Sequence, residues 1–400
     1  MDSMEMLTNL EHLQPYFQPI FSADEHVVIG YEILGRYVND SGTIDIASFM
    51  QDEQIPEEYR IEVDQHLLQL ALSKISASSE NFFIFIPCEA DLLMLDHGES
   101  FLEMLKKHVG EEALSRVVVE FSESRFKGDF DSLHHLLTYY KTYGIKIAIN
   151  DLGPSSHQDK IAALSPQILK MNNDELKHES WGSQKDFISS MGMLARKIGA
   201  SLLFEGIENV YELQLAWRSG VRYYQGIYLA EPTAHFIERE QLKKQFKEEC
   251  HRFIISEKKT LENRYNAKKK MQETIQSVVS KVKPSSVDLE QLKNLATLLD
   301  DISFRLYVCD EDGFQTSPNI VRYSGKWIVQ EEYKQKNWSW RPYFLKTIIA
   351  MRNDQKGELS DSYSDIETGE IIRTFSVPLN AQEYLFIDIS YNYLFEHDIF

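Results

Sequence analysis

Residues 144–172 read GIKIAINDLGPSSHQDKIAALSPQILKMN, and the fold is decided there. The flanking runs GIKIAIND and PQILKMN are apolar with little alternation, so each is a strand buried on both faces. That belongs to a parallel sheet covered by helices. Outward in both directions the pattern recurs as HVVIGYEIL (26–34), NFFIFIP (81–87), SRVVVEF (115–121), SLLFEGI (201–207) and RYYQGIYL (222–229), with helix-patterned stretches between them. Seven such units, with an eighth run that cannot be placed, suit a closed (β/α)8-type barrel better than an open sheet. The expected fold class is therefore α/β over residues 1–235.

Residues 236–285 carry no strand signal and are dense in Lys, Glu and Gln, which reads as one long linker helix. Met271, Ile275, Val278 and Val282 step by 4, 3 and 4 along one face. That stripe packs back on its own domain, forms a dimer, or transmits a signal. Pro284, followed by Ser285 and Ser286, stops the helix. Residues 286–400 open with a short helix, VDLEQLKNLATLLD, and continue as SFRLYVCD, KWIVQ, IIRTFSVPL and EYLFIDIS between turn signals, a separate α+β domain.

The 400 residues exceed what one core serves, and the 42 basic against 62 acidic side chains give a net charge of −20. This excludes nonspecific binding to nucleic acid polymers and to anionic membranes. Cys88, Cys250 and Cys309 are odd in number and show no paired spacing, as in reduced cytoplasmic proteins. The start, MDSMEMLTNLEHL, shows no basic stretch followed by an apolar one, and no run approaches the ~20 residues of a membrane span, so no membrane targeting is expected.

In a parallel barrel the chemistry sits where strands end. Those positions hold Glu32, Glu120, Asp151, Lys170, Glu205 and Gln225. Four carboxylates converging on one rim repel one another unless a cation sits among them, and the oxygen donors suit Mg²⁺, Mn²⁺ or Ca²⁺. Lys170 would orient or acidify a metal-bound water. Arg36 offers a donor fork for a phosphate oxygen, so a phosphodiester ligand is expected.

The motifs YFQPIF and GYEILGR resemble the opening of the EAL family, whose members hydrolyse cyclic di-GMP to the linear dinucleotide pGpG. VEFSE, INDLG, ILKMN, FEGIE and YYQGIYLAEP resemble further motifs of that family, in its order. The resemblance implies metal ligation by Glu32, Glu120, Asn150, Asp151 and Glu205, with Lys170 and Glu205 catalytic. It implies dinucleotide contact by Gln18, Arg36, Gln225 and Glu208, loop support by Glu123, and a homodimer. It is nearest to members in which an EAL barrel precedes a PAS-like or Cache-like sensor domain.

Departures from the family pattern bear on activity. Pro87 stands where active members place a metal-binding Asn, Asn150 replaces the metal-bridging aspartate, and Asn172 replaces the aspartate of the family's L-K-I-D strand. Gly153, Pro154 and Ser155 replace its G-T-G loop. Two-metal catalysis clamps both the attacking and the leaving oxygen. The expectation is a degenerate site that binds cyclic di-GMP with one divalent ion and turns it over weakly or not at all. The alternatives are an active phosphodiesterase and a non-catalytic interaction scaffold. In the C-terminal domain NWSWRPYF and the strands after it resemble PAS-like and Cache-like sensors. Trp338, Trp340, Arg341, Tyr343, Tyr363 and Asp388 are the residues expected around a pocket for a small ligand there.

Overall fold

The structure, a computed structural model, describes residues 3–39, 42–52, 54–78, 80–154, 156–177, 181–282, 288–341 and 343–399. Ser155, Pro284, Ser285, Ser286 and the side chain of Val282, which the sequence reading uses, lie outside them. The chain divides into two compact units, Met1–His251 and Arg252–Phe400.

The first unit is a barrel. Its strands are β1 (Leu13–Ser22), β2 (Val28–Asn39), β3 (Gly42–Asp45), β4 (Phe83–Pro87), β5 (Val117–Phe121), β6 (Lys146–Leu152), β7 (Ile168–Asn172), β8 (Ser201–Glu205) and β9 (Tyr223–Tyr224). From β2 through β4, β5, β6, β7, β8 and β9 each neighbour is parallel. The ring closes through β1, which pairs antiparallel with both β2 and β9, while β3 hangs from β2 outside it.

That closing strand is the eighth run the sequence left unplaced, and its residues explain why. LQPYFQPIFS carries Pro15 and Pro19, each lacking the N–H a central strand needs. β1 tolerates them because its ladder is long only on the β2 side; β9 meets it at Phe21 and Ser22 alone. The seventh run also shortens, since only Tyr223 and Tyr224 of RYYQGIYL pair as a strand.

Ile20, Phe85, Val118, Ala148, Ile168 and Leu203, one from each of six strands, form a buried apolar layer inside the barrel. Side chains two residues apart in a strand share a face. Two residues beyond this layer stand Pro87, Glu120, Asn150, Lys170 and Glu205, and two before Ile20 on the antiparallel strand stands Gln18. Glu32 is level with them, in register with Gln18 on one side and Phe85 on the other. The polar set therefore sits one pleat above a hydrophobic plug.

A 40-residue helix, Lys243–Val282, begins seven residues later than the sequence boundary of 236 implied. Its early residue Phe246 packs near the rings of Phe21, His26 and Tyr224 of the barrel. In the second unit β10 (Ser303–Asp310), β11 (Asn319–Tyr323), β12 (Lys326–Gln330), β13 (Glu358–Leu359), β14 (Tyr363–Ser364), β15 (Ile371–Pro378) and β16 (Glu383–Ile389) form an antiparallel sheet ordered β12-β11-β10-β16-β15-β13, with β14 on β15. The preceding helix, Leu289–Leu298, opens on a capping box in which Asp288 and Gln291 satisfy each other's backbone N–H.

Met271, Ile275 and Val279 of the long helix are buried in one cluster with Leu292, Leu306, Phe375 and Leu385, and Val278 packs against it. Of the readings left open for the stripe, the structure selects packing on the helix's own domain over a dimer seam. Truncating Ile275, which is fully buried, removes contacts inside one chain. Ile275→Ala is expected to cost the C-terminal unit about 2–5 kcal/mol. Denaturant melts at several protein concentrations check it, because a dimer seam would make the loss depend on concentration and a core position would not.

Candidate active site at the mouth of the barrel

The end of β7 brings Lys170 to the centre of the barrel mouth, where it is 1 % exposed. Its Nζ lies 2.8 Å from Glu32 Oε2, 2.9 Å from Glu205 Oε2 and 3.2 Å from Glu120 Oε2. Three carboxylates from β2, β5 and β8 thus converge, as the strand-end reading required, and Lys170 stands between them rather than beside them. Among the described residues no three carboxylate, histidine or cysteine side chains are spread around an open metal-sized space.

Asp151, the fourth carboxylate, lines the same mouth but is not among the partners of Lys170, and pairs with Arg125 at 3.0 Å. The cause is local. The β6–β7 register shifts between Ile149 and Leu152, and Asp151 takes a left-handed φ of 53°, so the bulge re-aims it. Gln225 donates its amide hydrogen to Glu32, and Gln18 donates to the Ala230 carbonyl at 2.6 Å. Arg36 pairs with Asp45 at 2.8 Å. Glu123 accepts from or pairs with His157 Nδ1 at 2.9 Å and so ties the β6 loop to β5. Glu208 pairs with Lys177 at 2.9 Å, and Asn172 Oδ1 accepts from the Asp174 N–H, which caps the turn behind β7.

The mouth opens into a cavity of about 1430 Å³, above the roughly 300–1,000 Å³ typical for drug-sized ligands and large enough for a dinucleotide. Glu32, Pro87, Asn150, Asp151, Lys170 and Glu205 line it. Residues that motif reading missed line it too. Arg60 and Asp64, one turn apart on helix Glu57–Ser76, face Glu89 from β4's loop, with Arg60 Nη1 2.6 Å from Glu89 Oε2. Burial, then Glu89's charge, pushes the Asp64 carboxyl up to about 7. Arg60 and Asp64 share an i, i+4 spacing, the one signal that would have paired them.

Electrostatics at the mouth follow from burial. Burial and the neighbouring glutamates push the Glu120 carboxyl well up against Lys170's opposing pull. Burial would lower the Lys170 ammonium, yet Glu120, Glu205 and Glu32 raise it well above its ordinary value. Glu32 is also driven up by burial, but Lys170 and Gln225 outweigh that and hold it below the usual range. Glu120 Oε1, Asn150 Oδ1 and Gln225 Oε1 are buried without a hydrogen-bond partner among the described residues. Orphaned acceptors beside paired carboxylates fit a hard cation, which takes oxygen donors. Pro87 has no side-chain donor or acceptor to add there, and the next residue, Cys88, donates its N–H to the Glu120 carbonyl at 2.7 Å.

In the C-terminal unit a cavity of about 160 Å³ is lined by Tyr307, Trp338 and Arg341, among others. Trp340 is 64 % exposed and lies outside its lining. Asp388 is fully buried and holds Arg305 Nε at 2.6 Å, so it is a core ion-pair partner and not part of that lining. Tyr363 Oη bonds Thr374 Oγ1 at 2.6 Å, and the Tyr343 ring lies tilted against the Tyr363 ring with centroids 5.1 Å apart.

Residues 2–232 match the EAL domain family, and residues 236–400 match a family described as the EAL-domain associated signalling protein domain. The uncharacterized EAL-domain containing protein YkuI of Bacillus subtilis (strain 168) is 47% identical over 403 residues, covering 100% of this chain and 99% of that protein. A solved Bacillus subtilis YkuI structure, in complex with substrate c-di-GMP and calcium, superposes with a TM-score of 0.93 over 100% of both chains at 47% identity. An EAL domain protein from Listeria monocytogenes EGD-e shares the barrel fold, with a TM-score of 0.51 and 21% identity over 62% of this chain and 98% of that one.

Two outcomes follow from the buried charges. Lys170→Met leaves three carboxylates facing one another, and is expected to cost the barrel about 3–5 kcal/mol in chelator-treated protein, read by urea denaturation. Burial pushes the Glu205 carboxyl from 4.5 up to about 7, against Lys170's pull. The folded barrel then keeps a proton that the unfolded chain releases, so this group's stabilisation is complete below 4.5 and is lost as the pH rises through about 7. The barrel's denaturation midpoint is expected to fall with rising pH across that window, and Glu205→Gln is expected to flatten the slope.

Proposed function

Because this chain belongs to the EAL-domain family, we propose that its barrel binds cyclic di-GMP together with a divalent cation and hydrolyses it weakly or not at all. The observation that carries the reading is the presence of buried, partnerless acceptors in the polar set at the mouth: Asn150 Oδ1 on a residue that lines the cavity, and Glu120 Oε1 on a carboxylate that Lys170 holds by its other oxygen. The Bacillus subtilis relative's complex with c-di-GMP and calcium supports the choice of ligand and ion.

Glu32, Glu120, Glu205 and Asn150 would hold the cation, in place of part of what Lys170 now satisfies. Such an ion supplies electrophilic stabilisation of a phosphodiester and a more acidic water. Lys170, gripped by three carboxylates, keeps its proton and serves as a fixed positive charge. Gln225 fixes the carboxylate of Glu32 by donating to it.

Hydrolysis by in-line displacement needs the attacking and the leaving oxygen clamped at once. The second clamp would have to come from Asn150, a neutral amide with one oxygen, from Asp151, which is engaged by Arg125, and from position 87, where proline has no side-chain donor. Ca²⁺ accepts irregular oxygen sets that Mg²⁺ does not, which favours binding over turnover.

The reading extends to a homodimer in the cytoplasm whose C-terminal unit acts as a sensor coupled to the barrel. Three thiols that form no disulfide among the described residues support the compartment. The helix Lys243–Val282, which has residues in both units, supports the coupling. The dimer interface must lie elsewhere than the Met271 stripe.

Calorimetry with cyclic di-GMP, run beside chromatographic analysis of product, tests the reading. The expected result is saturable heat with Ca²⁺ or Mn²⁺ present, none after chelation, and little or no pGpG. The Pro87→Asn, Asn150→Asp double variant is expected to gain turnover by about tenfold or more, equivalent to about 1.4 kcal/mol off the barrier. Equal turnover by the natural and the repaired protein would show an active phosphodiesterase. Neither heat nor product would leave a scaffold.

A further inference from the structure

Two arginines line the small cavity of the C-terminal unit, and they are treated very differently. Arg305 is buried and saturated: Asp365 lies 2.5 Å from Nη2, Asp388 2.6 Å from Nε and Glu367 3.0 Å from Nη1. Arg341 is 8 % exposed, and among the described residues no carboxylate pairs with it. Its Nη1 donates to Tyr343 Oη at 2.9 Å and grazes Tyr363 Oη at 3.5 Å, both neutral phenols, and its guanidinium lies 4.6 Å from the Trp338 ring centroid. A buried charge without a counter-ion is costly, and phenol and indole relieve only part of that cost.

The geometry points to a site for a small monocarboxylate in this cavity, its two oxygens on the free donors of Arg341 and its apolar part against Tyr307 and Trp338. A planar guanidinium matches a carboxylate with two parallel hydrogen bonds. The size agrees: about 160 Å³ is close to the roughly 150 Å³ engineered cavity that holds benzene, room for only a few heavy atoms. Lys336, stacked 3.5 Å over Tyr333 at the same cavity, adds positive charge. Asp365 and Glu367 also line it and would repel a phosphate dianion more strongly than a monoanion, which favours the carboxylate. The site does not depend on what the barrel binds.

Thermal shift and tryptophan fluorescence of the full chain, titrated with propionate, pyruvate and alanine against inorganic phosphate and chloride, test this. At least one carboxylate should give a saturable response in both readouts with a dissociation constant of about 1 mM or tighter, within reach of so few atoms. Arg341→Met should weaken that binding by about tenfold or more while leaving the ligand-free melting temperature no lower, because it removes an unpaired buried charge. A purely structural Arg341 would instead lower it. Should Arg341→Met fail to fold, Lys336→Gln at the same cavity is expected to weaken the carboxylate response. No saturable response to any of the three carboxylates, an unchanged response in the variants, or tighter binding of phosphate would overturn the assignment.

Discussion

A fully buried lysine held by three glutamates is the constraint around which the barrel is arranged. Each ion alone would pay a large desolvation cost, and the cluster is tolerable only because Lys170 reaches Glu32, Glu120 and Glu205 within 3.2 Å at once. The lysine and its three partners come from four different strands, so the cluster demands that β2, β5, β7 and β8 share one register. A slip of one residue in any of them would turn its charged side chain toward the helices and an apolar one into the mouth. The layer of Ile20, Phe85, Val118, Ala148, Ile168 and Leu203 beneath it imposes the same register from the hydrophobic side. Chemistry and packing therefore specify one alignment of the strands, one pleat apart.

The same two-residue period explains what could be read from the sequence. Glu120, Lys170 and Glu205 each stand at the end of an apolar run, and a parallel barrel can put such residues only at one mouth. What strand periodicity does not carry is a side chain's direction once the ladder breaks. Asp151 looks equivalent to Glu120 in the sequence, but the bulge in β6 and a left-handed φ hand it to Arg125. Lys170 was read as a neighbour of a metal; that three carboxylates would close on it depends on reach and rotamer, which spacing leaves free. The closing strand escaped for the opposite reason, since Pro15 and Pro19 remove the donors by which a strand is recognised and only the one-sided ladder with β2 makes them acceptable.

Periodicity was likewise silent about partners in the long helix. Met271, Ile275 and Val278 define a face at helical spacing whether that face meets a second chain or its own sheet. The deciding facts are non-local: Leu306, Phe375 and Leu385 come from three strands of the C-terminal sheet that supply the other half of the cluster. In that domain the long runs SFRLYVCD and EYLFIDIS were legible as strands. Two-residue strands such as Glu358–Leu359 and Tyr363–Ser364 were not, because they contain too few residues to show alternation. Trp340 illustrates the same limit, for an aromatic residue in a motif is as compatible with solvent as with a pocket until its neighbours are fixed.

The two units also show how a buried charge separates stability from recognition. Arg305 has its counter-ions within the fold, so nothing from outside is needed to complete it and its loss would be felt chiefly as instability. In the barrel, Lys170 satisfies one oxygen of Glu120 and leaves the other orphaned, as is the side-chain oxygen of Asn150. Folding has stopped short of satisfying these acceptors, at a free-energy cost that a self-contained core would avoid by placing apolar groups there. A ligand that completes such a set recovers that cost as affinity. On the proposed function, the amide at position 150 and the proline at position 87 would offer too few oxygens for a second cation, while the orphaned oxygens stay in place. On that proposal binding would outlast displacement, because recognition needs one unsatisfied set of oxygens while in-line chemistry needs two opposed clamps.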